Sequence, residues 1–356
     1  MGAALRRSRF LPSSGDLKGE KTSSCLPRKI GRQRLVFPNS NGMRLYRVLT
    51  LCFLSYFLQS AISQDFGTSN SVPGVTIHIA RDTQNHLFIP ITINGVTSWW
   101  GVDTGFTFSI IDPAIATRAH LQRATDANHI PFNARVNGQI CPIVTVSDLR
   151  SGSLSFGKAQ IPVFEIESKR YERSPEVGSS FEMGGILGMD FLSRFHAIID
   201  FDRQEIALSW SGSAPAAGPT DSGYTQVALQ RVNGRRLEVS CRLGTTTSPF
   251  LVDTGAPGTS CPVYVAVQNR IRLRRKPFTE TLTGGGPNRA FTGRVNDFRI
   301  GTFSCGNTDL NFADLSPRRS YSGQPPEYLL GVDLLWRHRA ILDIDRNVLQ
   351  LSQSGR

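Results

Sequence analysis

The chain is poor in the residues that metal and phosphate chemistry need. Its six cysteines include no Cys-x-x-Cys pair, and its six histidines are scattered without ligand spacing, so no zinc site can be read from it. Neither strand–helix alternation nor a Gly-rich phosphate loop is evident, which removes the basis for a phosphate-binding α/β fold. The apolar stretch at residues 48–62 spans about fifteen residues, where a membrane-crossing helix needs about twenty. Acidic residues are few: 28 Asp and Glu against 40 Lys and Arg, a formal net charge of +12. That excess is local. Residues 1–63 hold eleven basic and two acidic residues, leaving 29 against 26 in the remainder, so the body is nearly neutral and no nucleic-acid partner is expected.

The segregation of charge reads as a targeting segment. Arg44 and Arg47 precede the apolar run, and Ala61-Ile62-Ser63 supplies small residues where a signal peptidase would read. We expect a signal peptide over residues 43–63 and a secreted or periplasmic protein, with retention of the segment as a membrane anchor as the alternative. Residues 1–42, rich in Arg, Ser, Gly and Pro, read as a disordered basic leader, with translation starting at Met43.

What the chain has instead is a repeat. Asp-Thr-Gly occurs at Asp103-Thr104-Gly105 and again at Asp253-Thr254-Gly255, and each copy is followed by Leu-Gly-x-Asp, at Leu187-Gly188-Met189-Asp190 and Leu330-Gly331-Val332-Asp333. Sliding the chain by 150 positions also brings Arg81 onto Arg231 and Leu87 onto Leu237. An offset of 149 superposes Asp148, Arg150 and Gly152 on Asp297, Arg299 and Gly301, and 143 superposes Asp200, Asp202 and Arg203 on Asp343, Asp345 and Arg346. The drift assigns copy one a longer loop within residues 168–183. Residues 211–222, Ser-Gly-Ser-Ala-Pro-Ala-Ala-Gly-Pro-Thr-Asp-Ser, have linker composition. The expected organisation is therefore lobe 1 over residues 74–210, a linker at 211–222 and lobe 2 over residues 223–353.

Within each copy, short runs rich in β-branched residues alternate with turn signals such as Asn94-Gly95, which predicts hairpins and a mainly-β barrel or sandwich. Asp-Thr-Gly follows a buried strand, and the residues after Leu-Gly-x-Asp read as one or two helical turns. Trp99-Trp100 reads as core. Asp190 and Asp333 fall at the start of those short helices, where a carboxylate caps free amides, so their expected role is structural.

If two lobes related by a pseudo-twofold axis pack together, equivalent turns near the axis meet and the two carboxylates become neighbours. They then share one proton, and the apparent pKa values of the pair split by about three units. One carboxylate can deprotonate a water while the other protonates a carbonyl oxygen. The threonine hydroxyls can hydrogen-bond across the seam, and the glycines let backbone approach backbone.

These residues resemble the aspartic peptidases, in particular their retropepsin-like domains. The likeness rests on hydrophobic-Asp-Thr-Gly in both copies and on the hydrophobic-hydrophobic-Gly elements Ile186-Leu187-Gly188 and Leu329-Leu330-Gly331. It covers about residues 74–353. The resemblance implies an all-β protein of two pseudo-twofold-related pepsin-like barrel lobes with a short helix in each. It further implies Asp103 and Asp253 as catalytic dyad, supported by Thr104, Gly105, Thr254 and Gly255, with Gly188 and Gly331 beside the catalytic loops. A polypeptide substrate, no cofactor, no metal and a monomer follow from the same likeness. Phe106 departs from the family, which commonly has Ala or Ser there; it would crowd the cleft or shape a pocket. Asn137-Gly138 and Gly284-Gly285-Gly286 are candidates for a flap hairpin, or ordinary surface turns.

Three rival readings differ in class. A catalytically inactive two-lobed peptide binder would keep the fold without cleavage. A phosphate-binding Asp-x-Gly turn lacks its supporting fold. The cluster Arg272-Leu273-Arg274-Arg275-Lys276 suggests nucleic acid, but one cluster on a neutral body reads as a solvated face. Cys241, Cys261 and Cys305 replace Ile91, Ile111 and Phe156 of the sister copy, so they read as small buried hydrophobes. In an exported chain a Cys241–Cys261 disulfide is the alternative.

Overall fold

The computed structural model describes residues 74–126, 129, 131–136, 138–166, 183–210, 223–275, 290–313 and 328–354. All belong to one compact unit, residues 64–356. The expected leader, signal peptide and linker, most of the expected copy-one loop, Asn137 and Gly284–Gly286 lie outside the described residues.

Strands dominate, as alternation of apolar and polar side chains requires. In Arg236–Leu243, Leu237, Val239, Cys241 and Leu243 point inward and are buried, while Ser240 and Arg242 face solvent. The turn after Leu87–Ile93 places Asn94 at φ 47° and Gly95 at φ 81°, left-handed positions that Asn and Gly adopt at low cost and that match the twist of a two-residue hairpin.

Each copy closes a barrel. In lobe 2, Arg236–Leu243 pairs with both Thr246–Val252 and Ala290–Ile300, and Ser260–Pro262 pairs in parallel with Phe303–Ala313, so the sheet returns on itself. Lobe 1 repeats the same contacts, with Thr92 opposite Arg150 and a parallel bridge from Ile111 to Val163. Closure encloses the core, where Trp100, Phe156, Phe250, Phe298 and Phe312 are essentially inaccessible to solvent. Complete burial stabilises by about 1.5–3 kcal/mol for each such side chain.

A third sheet of six strands joins the lobes. At its centre Ile198–Asp200 runs antiparallel to Ile341–Asp343, with Ile199 opposite Leu342, its own equivalent in the repeat. An element that pairs with its own copy in this register lies on a twofold axis. The axis also relates crossed contacts. The Arg81 guanidinium sits 3.9 Å from the ring centre of Trp336. Its equivalent Arg231 donates to Ser193, the position matching Trp336, at 3.1 Å, and to the carbonyl of Ile344. Asn85 likewise donates to the Pro257 carbonyl, and its equivalent Arg235 stacks 4.4 Å from the ring centre of Phe108.

The expected short helix is present in each lobe, Met189–Arg194 in lobe 1 and Val332–Arg337 in lobe 2, and among the described residues each lobe has a second, Pro113–Arg118 and Val263–Gln268. At six residues each, they are too short for an apolar periodicity to stand out. The Cys241–Cys261 disulfide is corrected. Cys141, Cys241, Cys261 and Cys305 are all free and buried. Burial pushes the Cys241 thiol well up, with Cys305 and Cys261 adding to it, and pushes Cys305 up to about 12, so these groups stay protonated and pack as hydrophobes.

Candidate active site

The strand Val96–Val102 ends at Asp103, and Thr246–Val252 ends at Asp253. Each aspartate is held by the strand beside it: the Asp103 amide donates to the Leu187 carbonyl and the Asp253 amide to the Leu330 carbonyl, both at 3.0 Å. Each carboxylate also accepts the amide two residues on, Gly105 to Asp103 at 2.8 Å and Gly255 to Asp253 at 2.9 Å. With the backbone fixed and one oxygen bonded, the other oxygen of each group is left to face the seam.

There the two carboxyl groups stand close together, each against the motif glycine of the other lobe. Asp103 is 5% exposed, Asp253 less deeply buried. Burial, then the negative charge of Asp253, then the hydrogen bond that protonated Asp103 can donate to it hold the Asp103 carboxyl well above the usual carboxylate range. Two carboxylates this close do not both ionise, so the pair holds one proton over a broad range of pH, and its titration belongs to the dyad rather than to either residue.

The threonines lock the seam. Thr104 donates its hydroxyl to the Val252 carbonyl at 2.6 Å, and Thr254 to the Val102 carbonyl at 2.7 Å. Each hydroxyl oxygen accepts the other threonine's amide at 3.0 Å. Four buried hydrogen bonds thus cross between the lobes, related pairwise by the axis.

The glycines act differently from expectation. A Cβ on Gly105 would meet the Asp253 carboxyl group, and one on Gly255 the Asp103 carboxyl group; they make room for the sister acid rather than for backbone. Backbone contact is the task of Gly188 and Gly331. A Cβ on Gly188 would lie 2.8 Å from the Phe106 carbonyl oxygen, and one on Gly331 2.8 Å from that of Ala256.

Asp190 and Asp333 lie in the first helical turn, and each accepts a free amide there as expected, Phe191 to Asp190 and Leu334 to Asp333, both at 2.8 Å. The caps are Gly188 and Gly331, which provide no side-chain cap bond. Each aspartate also accepts from both the amide and the hydroxyl of a residue on the facing loop, Ser109 for Asp190 and Thr259 for Asp333, all at 2.7–2.8 Å. Those hydroxyls in turn accept the Gly188 and Gly331 amides at 3.1 Å. Their role is structural, and it extends to Ser109 and Thr259, which the sequence reading missed. A signal existed: a hydroxyl residue six positions after the aspartate in both copies.

Of the remaining calls, Trp100 is core, but Trp99 is only half-buried. It packs with Phe106 and Phe164 against a second apolar cluster that includes Phe88, Val136, Cys141 and Met183. Val136 and Cys141 belong to a hairpin in which Asn133–Val136 pairs with the start of Gln139–Ser151, with Gly138 at φ 81°. Phe106 therefore neither blocks the dyad loop nor stands free. It packs on the same cluster as the hairpin.

A family model described as Aspartyl protease matches residues 89–191 and 231–334, one match per lobe and more than half of the chain together. The chain belongs to that family. Among solved structures, Basic 7S globulin from soybean is similar at 12% identity over 80% of this chain and 96% of that one, with a TM-score of 0.43. Compared with the curated proteins, the chain matches none.

Proposed function

We propose that the protein is an exported aspartic endopeptidase and that Asp103 and Asp253 are its catalytic pair. The observation that carries this reading is the meeting of the two carboxyl groups across the seam, each standing against the motif glycine of the other lobe, with Asp103 strongly biased toward its protonated form. A water held between them loses a proton to the ionised carboxylate while its oxygen attacks the peptide carbonyl carbon. The protonated partner gives its proton to the carbonyl oxygen, forming a gem-diol. The dyad then gives its proton to the amide nitrogen while a gem-diol hydroxyl returns one to the dyad; the C–N bond breaks, leaving a carboxylic acid and an amine, and the dyad ends with the single proton it began with. General acid and general base assistance contribute about 10²- to 10⁴-fold each, and no covalent intermediate is needed.

Export rests on residues 43–63, and a monomer on the presence of both lobes in one chain. The hairpin carrying Gly138 is the flap on this reading, since its base shares an apolar cluster with Phe106, three residues from Asp103. Digestion of a peptide library tests the function. Cleavage that pepstatin inhibits and that both Asp103→Asn and Asp253→Asn abolish is expected. Absence of cleavage across pH 3 to 7 would instead mark a two-lobed peptide binder.

A further inference from the structure

We infer that the outer face of lobe 2 carries a binding groove for an acidic stretch of polypeptide, built by Arg272, Arg274 and Arg294. The groove, about 540 Å³, is lined by these arginines with Thr292, Gly293 and Asp309. Strand alternation sets the face. Leu273 and Ile271 turn toward the core beneath Gly293, so Arg272 and Arg274 on either side of Leu273 turn outward. The pairing of Leu273 with Gly293 and of Arg274 with Thr292 brings Arg272 beside Arg294, a like-charge neighbour across two strands. Such a pair opposes the sheet unless an anion bridges it. Asp309, opposite Arg294, bonds it at 3.0 Å and leaves the other two guanidinium groups to a ligand.

The repeat supplies an internal control. The corresponding positions of lobe 1 are Gln122 for Arg272, Ala124 for Arg274, Thr145 for Arg294 and Gln160 for Asp309, in the same register: Gln122 faces Thr145, and Thr145 faces Gln160. That barrel closes without a charge at any of the four places, so the fold does not require the arginines. Their planar forks suit paired carboxylates. The groove has the volume of a small-ligand site, too small for a duplex, and the body beyond residues 1–63 is nearly neutral, which favours acidic side chains over a nucleic-acid backbone. The inference does not depend on the catalytic reading.

Fluorescence anisotropy of a labelled Glu-rich peptide with the full chain at low salt tests it. The triple variant R272Q/R274A/R294T, which copies lobe 1, is expected to bind at least about tenfold more weakly, whereas R118Q/R123Q/R150Q on the surface of lobe 1 changes affinity by less than about twofold. Circular dichroism checks the fold. If the triple variant does not fold, R272Q alone is expected to weaken binding by about threefold. Unchanged affinity in the folded variant, or an equal loss in the lobe 1 variant, overturns the groove. Tighter binding of a single-stranded oligonucleotide or of anionic vesicles, lost in the triple variant, overturns the assignment to acidic polypeptide.

Discussion

The carboxyl carbon of Asp253 lies 2.5 Å from where a Cβ on Gly105 would be, and the Asp103 carboxyl group stands in the same relation to Gly255. Each glycine is thus a socket for the acid of the other lobe. Gly105→Ala must push the Asp253 carboxyl aside and break the contact on which the shared proton depends. The expected result is a loss of at least about 10²-fold in kcat, and Gly255→Ala behaves alike by symmetry. Steady-state hydrolysis of any cleaved peptide checks it.

The dyad sets a pH dependence of stability. Because its pKa is raised by burial and by Asp253, Asp103 binds its proton more tightly in the folded protein than in the unfolded chain. Stability therefore falls as pH rises from the ordinary value of 3.8 through the raised folded value. Asp103→Asn keeps an oxygen for the Gly105 amide and removes the titration. Its melting temperature should exceed that of the wild type at pH 7, and the gap should close below pH 3.8.

His338 acts in the opposite sense. It replaces Phe195 of the sister lobe, is buried with its ring 4.9 Å from that of Phe303, and has no hydrogen-bond partner for either ring nitrogen among the described residues. Burial and the nearby Arg337 hold its pKa below the ordinary 6.5. The unfolded chain takes the proton first, so stability is lost as pH falls below 6.5. His338→Phe should raise the melting temperature more at pH 5 than at pH 8, as calorimetry across that range would show.

Thr104→Val removes the donor to the Val252 carbonyl and the acceptor for the Thr254 amide, leaving both buried without a partner. A loss of about 2–4 kcal/mol follows, with the same loss for Thr254→Val. Chemical denaturation of the three proteins measures it.

Much of this site was legible because its residues recur. Asp103 and Asp253, with Thr104 and Thr254, are twice-written motifs, and a duplication implies an axis along which equivalent turns meet. The barrels were legible from alternation, as in Arg236–Leu243. What lay hidden was partnership. Arg81 and Arg231 align in the repeat, yet nothing in the alignment says that each reaches the other lobe, to Trp336 and to Ser193. Alternation tells inside from outside along one strand; it does not tell which loop a Ser109 hydroxyl will face, because that contact joins residues 81 positions apart. The role of Gly105 and Gly255 was missed for a similar reason: small size is legible, but the group that fills the space is set by tertiary approach.

The central claim is that the two carboxyl groups titrate as one unit. Nuclear magnetic resonance of protein labelled with ¹³C at the aspartate carboxyl carbons measures it directly. The account predicts two coupled transitions separated by about three units, with the upper one returning toward the ordinary range when Asp253 is replaced by Asn. Two independent titrations near 3.8, each unaffected by replacement of the other aspartate, would contradict it.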